Sequence, residues 1–237
     1  MKLRRCRFLA SLGMTGGALG MTITMGACEK QPQGTPVAAV PDSFVVSLET
    51  TRGRIDMMAR KSWAPIGVGR LYDLVNEKHF DGARFFRVIK GYVAQFGLSG
   101  VPEVDKAWRG RKIEDDPVKH SNVRGTVSFG RVGRRTRSVQ LFVNLVDNPM
   151  LDTLDGFGFA PVADVTSGMP AIDSLYSEYG DAAPKSGPQF RREGPSQDSI
   201  MAKGNAYLER GWPKLDYIKT ARITQQWPPA VTPVARP

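Results

Sequence analysis

Arg87 and Gln95 are the residues whose type and setting in this sequence point most directly to chemistry. Both lie in a largely apolar, strand-like segment at residues 85–97. Alternate side chains of a strand share a face, so the two would project together, although Gly91 between them permits a bulge that changes this parity. A buried guanidinium is costly unless it is paired, so an arginine directed into an apolar pocket indicates a site that needs a permanently charged donor. The segment by itself fits a second interpretation equally well, an edge strand whose Arg87 side chain reaches water.

A second amide, Gln140, stands in another apolar strand-like segment at residues 139–146. An amide on an apolar strand needs a hydrogen-bonding partner, which favours a functional role for Gln140 as it does for Gln95. Phe142 and Leu154 follow Gln140 along the chain, and each could be either a site residue or an ordinary core residue.

Short strands and two helices are the elements that would position these residues. Residues 51–54 have the composition of a hairpin turn, and apolar residues at helical spacing follow Pro65. This pattern predicts a mainly β fold, a closed antiparallel barrel capped by two α-helices, while an open α+β sheet fits the periodicity nearly as well. Further strands are predicted at 125–130, 139–146, 158–165 and 216–223, a second helix at 169–179, an irregular loop at 98–122 and a mobile polar insertion at 181–203.

The first 28 residues differ in kind from the rest of the chain. Four basic residues precede an uncharged stretch at 8–27, which ends in small residues directly before Cys28. This pattern predicts a signal peptide over 1–27. The small residues before the cysteine resemble a bacterial lipobox, which implies that Cys28 carries a lipid as the first mature residue.

Two other export signals fit the same segment. An uncleaved membrane anchor and a twin-arginine signal at Arg4-Arg5 would both also place the folded part outside the cytoplasm. Residues 28–42 are then predicted to be a flexible tether, and residues 225–237 a disordered proline-rich tail.

The composition excludes several classes of function. The formal net charge is +10, and removal of the four basic signal residues lowers it to +6. That excess suits an anionic lipid surface or acidic clients, but no nucleic-acid-binding motif accompanies it, so no nucleic-acid partner is predicted. The mature part has no second cysteine, no metal-ligand cluster, no G-x-S-x-G motif and no phosphate-binding glycine loop, which argues against a hydrolase or redox protein.

Three groups of residues resemble the cyclophilin family. Residues 85–97 are similar to its signature F-x-R-V-I-x-G-F-x-x-Q-x-G. Residues 125–130 and 139–143 are similar to its G-x-L-S-M-A and S-Q-F-F-I segments, at matching spacing. Residues 154–156 and 159–162 resemble its L-D-G and F-G-x-V segments. The ordered matches span most of the mature chain.

The resemblance implies a cyclophilin-like domain over 43–224, with the eight-stranded closed antiparallel barrel of that family and peptidyl-prolyl cis-trans isomerase activity. Rotation about an X–Pro bond breaks amide resonance and has a barrier of about 18–20 kcal/mol. The twisted transition state frees the lone pair of the prolyl nitrogen, so a hydrogen-bond donor aimed at that nitrogen stabilises it selectively. This chemistry requires neither a metal nor another cofactor, and none is predicted.

The resemblance also implies a role for each site residue. Arg87 would be the catalytic donor, and Gln95 would orient it and contact the substrate. Gln140 matches a glutamine near the substrate backbone. The other matched positions are those of the proline pocket, Tyr92, Val93, Phe142 and Leu154, and those of the strand edge beside it, Gly130, Arg131 and Val132.

Two departures from the family pattern bear on catalytic efficiency. A histidine usually follows L-D-G, but here a shorter stretch with Phe157-Gly158 has none, and His79 and His120 are predicted to be surface residues. Arg131 replaces a usual asparagine that holds the peptide backbone.

The resulting prediction is an isomerase that assists the folding of exported proteins in a bacterial cell envelope. Its partners would be proline-containing peptides and unfolded exported proteins, with a membrane or periplasmic location through Cys28 and, as the family default, a monomeric state. The alternative is a non-catalytic module that binds proline segments as a holdase or adaptor. Arg87 and Gln95 favour the enzyme, whereas the missing histidine and asparagine favour the binding module.

Overall fold

The computed structural model describes residues 40–181 and 194–228 of the chain. The predicted signal peptide and Cys28 lie outside the described residues. So do most of the predicted tether, residues 182–193 of the predicted insertion and residues 229–237 of the predicted tail.

An eight-stranded antiparallel sheet, with strand order β3-β4-β6-β5-β7-β2-β1-β8, is the main element of the described residues. Its strands are β1 (Ser43–Thr50), β2 (Gly53–Arg60), β3 (Arg87–Ile89), β4 (Val93–Phe96), β5 (Thr126–Phe129), β6 (Leu141–Asn144), β7 (Pro161–Ser167) and β8 (Ile218–Trp227). The helices are α1 (Pro65–Asn76), α2 (Pro102–Arg109), α3 (Met169–Asp173) and α4 (Gln197–Gly211), and two 3₁₀ turns cover Pro149–Asp152 and Leu154–Gly156.

The sheet does not close into the predicted barrel. Strands β3 and β8 end the strand order, and no ladder pairs them. The segments near the starts of these strands are joined by an isolated bridge between Arg84 and Tyr217, by side-chain contacts, and by a few backbone hydrogen bonds, such as that from Phe85 N to Asp216 O at 2.9 Å. The predicted eight antiparallel strands are therefore confirmed, and the closed barrel is not.

The prediction of two helices is also wrong, since the described residues contain four. Helix α2 lies in the stretch predicted to be an irregular loop. Pro102 occupies its first turn, acidic residues stand near its start and basic residues near its end, which suits the helix dipole. Trp108 is buried and Val104 packs partly against the core beside it, but the helix has only eight residues, fewer than the window of about 11–18 residues over which helical periodicity is recognised.

The last two helices also differ from the sequence-based prediction. Helix α3 ends at Asp173, well short of the predicted end at 179. Helix α4 begins inside the stretch predicted to be a mobile insertion, and Ser196 caps it by accepting a hydrogen bond from Ser199 N. Strand β8 continues to Trp227, so residues 225–227 are not part of a disordered tail as predicted.

The central strands separate two faces with different contents. Ala94 and Phe96 of β4 belong to the main hydrophobic core, together with Leu141 and Val143 of β6. The intervening residues of the same strands point to the opposite face, as the two-residue period of a strand requires. That opposite face carries the candidate site.

Candidate active site

Strand register brings Arg87, Gln95 and Phe142 into one row. Arg87 is the partner of Gln95 across β3 and β4, and Gln95 is the partner of Phe142 across β4 and β6. Directly opposed residues of an antiparallel pair project on the same side of the sheet. The prediction that Arg87 and Gln95 share a face is therefore confirmed, and Gly91 lies in the β3–β4 turn, with φ +69°, without shifting the register.

A chain of side-chain hydrogen bonds runs from Arg87 across the site. Nη1 of Arg87 donates to Oε1 of Gln95 at 3.2 Å, and Nε2 of Gln95 donates to Oε1 of Gln140 at 2.7 Å. Nε2 of Gln140 then donates to Oε1 of Gln197 at 3.0 Å. Each amide thus accepts from one side and donates to the other or ends the chain, so the orientation of every member depends on its neighbour.

An ion pair holds Arg87 from a second direction. Its Nε lies 2.8 Å from Oδ2 of Asp181, and the two side chains are 12% and 5% exposed. The guanidinium of Arg87 also lies 5.9 Å from the ring centroid of Tyr92. The guanidinium has five N–H donors in a planar fork, so these contacts leave donors for a bound ligand.

An apolar cluster lies next to this arginine. Val93, Phe142 and Leu151 are buried in it, and Tyr92 and Phe159 pack against them. The rings of Phe142 and Phe159 meet edge to face, with centroids 5.5 Å apart. A site with a fixed charged donor beside an apolar, aromatic pocket can bind a small apolar ring and direct a hydrogen bond at a polar atom attached to it.

All ten catalytic and substrate-binding residues predicted from the sequence line one cavity of about 480 Å³. Two of them lie at its rim, because Leu154 is 41% and Val132 98% exposed. The catalytic and binding roles of the ten residues stay predictions.

The sequence-based analysis missed Asp181 and Gln197, which line the same cavity. A cap at Ser196, with Ile200 and Leu208 at helical spacing behind it, was the signal that could have placed Gln197 on a helix. Asp181 belongs to no motif.

The Arg131 side chain contacts the segment after L-D-G, where the family usually has a histidine and this chain has none. This side chain is only 2% exposed. Its guanidinium lies between the rings of Phe157 and Phe159, 3.8 and 4.3 Å from their centroids, and donates to the carbonyl oxygens of Leu154 and Gly158 at 3.1 and 2.9 Å. Desolvation by these neighbours lowers the pKa of Arg131, with nearby carboxylates opposing the shift. Its predicted contact with substrate stays a prediction.

The two histidines have different environments, and the surface prediction is wrong for His79. That residue is 3% exposed, and its Nε2 lies 2.9 Å from Gly97 O. Burial lowers the pKa of His79, and the hydrogen bond with the Gly97 carbonyl opposes this only in part. His120 is exposed and stacks on Trp63, with ring centroids 4.0 Å apart.

The comparison with known sequences identifies the family. Residues 45–200 match the model of the cyclophilin-type peptidyl-prolyl cis-trans isomerases. Peptidyl-prolyl cis-trans isomerase A of Dickeya dadantii is 32% identical over 149 residues, covering 60% of this chain and 75% of that protein. Peptidyl-prolyl cis-trans isomerase B of Escherichia coli is 29% identical over 168 residues, covering 66% and 96%. The chain therefore belongs to the cyclophilin-type peptidyl-prolyl cis-trans isomerases, and its activity is that isomerisation.

Solved structures agree with this fold. A cyclophilin-type isomerase of Cryptosporidium parvum superposes with a TM-score of 0.55 at 15% identity, covering 78% of this chain and 99% of that one. A crystal structure of the same protein in the presence of the dipeptide Ala-Pro gives a TM-score of 0.54. Among the described residues, no helix has the length and apolar character needed to cross a membrane, and no group of three or more His, Cys, Asp or Glu residues could hold a metal ion.

Proposed function

We propose that Arg87 is the catalytic residue of this isomerase and that it donates a hydrogen bond to the prolyl nitrogen of a bound peptide. The observation that supports this most strongly is the way Arg87 is held. Gln95 contacts Nη1 and Asp181 lies at Nε, beside the buried Val93 and Phe142. A donor fixed before the substrate arrives stabilises charge that develops in the transition state without reorganising.

The geometry also supports distinct roles for the rest of the site. The apolar cluster of Val93, Phe142 and Leu151, with Tyr92 at its side, receives the proline ring. Gln95 orients Arg87, and Gln140 faces the peptide backbone from the same hydrogen-bond chain. Residues 130–132, which follow β5, line the same cavity as Gln140 and contact the peptide on that side.

The test is catalysed cis-trans exchange of a short X–Pro peptide, measured by NMR with the purified full chain and its Arg87→Ala variant. We expect at least a tenfold fall in the catalysed rate, which corresponds to about 1.4 kcal/mol of lost transition-state stabilisation. Arg54→Ala is the matched control, because Arg54 is a half-exposed arginine on β2 that does not line the cavity. An Arg87→Ala variant that folds and keeps the wild-type rate would refute the assignment.

We further propose that the protein works in a bacterial cell envelope, on unfolded exported proteins that expose proline. The support is the N-terminal sequence, in which four basic residues and an uncharged stretch precede Cys28. Mass spectrometry of the N-terminus of the natively expressed protein tests it. A diacylglyceryl-modified Cys28 is expected, whereas an intact Met1 on the membrane-bound protein would indicate an uncleaved anchor instead.

A further inference from the structure

Asp181 is an acidic residue that faces the proposed catalytic donor, although it belongs to none of the sequence segments that resemble the family. Its Oδ2 lies 2.8 Å from Nε of Arg87, and its side chain is only 5% exposed. A carboxylate at this depth is stable only beside a compensating cation. Asp181 and Arg87 therefore serve each other as counter-charges inside the cavity wall.

The two contacts of Arg87 together restrict how its guanidinium can turn. The carboxylate of Asp181 lies at Nε, and the Gln95 amide accepts from Nη1. These nitrogens belong to one rigid plane. The Gln95 hydrogen bond directs that plane, and the Asp181 carboxylate attracts its other end as an ion pair without hydrogen-bond geometry. With Gln95 alone, the guanidinium could rotate about a single hydrogen bond.

Gln197 ends the hydrogen-bond chain on the side opposite to Arg87 and Asp181. Gln197, the first residue of α4, accepts from Gln140 at 3.0 Å. Gln140 in turn accepts from Gln95, the partner of Arg87. Asp181 and Gln197 therefore end the chain Asp181–Arg87–Gln95–Gln140–Gln197 on its two sides, and both contribute to the wall of the cavity.

We propose that Asp181 is a positioning residue of this active site, whose carboxylate orients Arg87 for donation to the prolyl nitrogen. The inference rests on the proposed role of Arg87. A carboxylate beside a catalytic arginine can act in two opposite ways, by fixing the donor or by competing with the substrate for it. The contact at Nε favours the first, because the Nη2 donors make no hydrogen bond within the described part of the chain and stay available to the peptide.

The test compares Asp181→Asn, which removes the charge at nearly constant size, with Asp181→Glu, which keeps the charge on a longer side chain. Catalysed exchange at saturating peptide and the peptide Kd are both measured by NMR on the full chain. We expect Asp181→Asn to lower the catalysed rate about tenfold with the Kd little changed, and Asp181→Glu to recover part of that loss. Glu178→Gln is the matched control, because it removes a charge from the same segment, at a side chain that is 55% exposed and pairs with Lys90. It should leave the rate unchanged.

A double-mutant cycle with Arg87→Ala separates positioning from a structural role. If Asp181 acts through Arg87, Asp181→Asn should cause no further loss of rate in the Arg87→Ala background. A general loss of folding would instead lower the catalysed rate in the wild-type and in the Arg87→Ala backgrounds, and it would lower the melting temperature. A wild-type rate or a faster rate in Asp181→Asn, with Arg87→Ala still impaired, overturns this inference and leaves the role of Arg87 intact. An unimpaired Arg87→Ala variant instead refutes the proposed function itself.

Discussion

The role of the Arg131 side chain in the structure differs from the role that the sequence suggested. The sequence suggested a position that contacts the peptide backbone. In the structure its guanidinium is buried between Phe157 and Phe159 and bound to two carbonyl oxygens of the same segment. The aromatic ring of Phe159 in turn packs on Phe142. Arg131 thus stabilises the shortened segment that lacks the usual histidine, and through it one wall of the apolar pocket.

Replacement of Arg131 by Ala should therefore weaken peptide binding as well as stability. The variant loses several charge-assisted hydrogen bonds and two cation–π contacts, and we expect it to lower the free energy of unfolding by about 2 kcal/mol and to raise the peptide Kd several-fold. Denaturant unfolding and an NMR titration with the X–Pro peptide measure the two effects.

Arg134→Ala is the control for that prediction. Arg134 is exposed and its guanidinium also lies near the Phe157 ring, at 5.2 Å. It should change neither the unfolding free energy nor the Kd appreciably. Equal effects of the two substitutions would mean that the general basicity of the loop matters, and not the buried position of Arg131.

At the scale of elements, α4 connects the site to the loop before α2. The helix is interrupted at Gly204, which has φ +64° and ψ −157°. At this interruption Asn205 N donates to Gly100 O at 2.8 Å, and Asn205 Nδ2 donates to Gly82 O at 3.1 Å. The first turn of α4, with Gln197, therefore depends on a close backbone approach several residues later.

Gly204→Ala should disturb that approach. A Cβ at this position would lie 2.3 Å from Gly100 O, and the positive φ is strained for a residue with a side chain. We expect the free energy of unfolding to fall by about 2–3 kcal/mol, and the Gln197–Gln140 contact to loosen, with a lower isomerisation rate. Gly211→Ala, in the same helix but with no atom within 4 Å of the added Cβ, should leave both unchanged or slightly increase stability. Indifference of the protein to Gly204→Ala would show that the backbone can relax at this point.

At the scale of the whole molecule, the buried His79 couples folding to pH. Its ring packs against Phe80 and Trp108 in the main core, with centroids 5.4 and 5.7 Å away. Burial lowers the pKa of His79 below its ordinary value of 6.5, mainly through desolvation. The unfolded chain therefore binds a proton at higher pH than the folded protein does.

The sign of the effect follows from proton linkage. The contribution of neutral His79 is complete above pH 6.5 and is lost progressively as the pH falls from there through the lowered pKa of the folded state. Chemical unfolding between pH 8 and pH 5 should show stability falling on the acid side, and His79→Gln should remove this part of the slope. His120→Gln, at an exposed position, should keep the slope. A slope that persists in His79→Gln would assign it to other groups.

The site could be predicted from the sequence as far as local spacing defines it. Arg87 and Gln95 lie on strands joined by a short turn, so alternation along the chain was enough to place both on one face. The apolar positions Val93 and Phe142 followed from the same alternation and from the family resemblance. Strands and hairpins with clear apolar patterns were predictable for the same reason, and α1 was predictable from its apolar stripe.

Only the tertiary structure decided what surrounds that face. Asp181 and Gln197 reach Arg87 and Gln140 from parts of the chain that are far away in sequence, so no local pattern shows which side chains they contact. Arg131 is buried against the shortened segment, and His79 lies in the core, because of neighbours that are far from them in sequence. The sequence by itself determined the family, the strand faces and the catalytic candidate, since these depend on local alternation and short motifs. The charge partner of the arginine, the packing of the additional helices and the open edge of the sheet depend on long-range contacts, which no local pattern encodes.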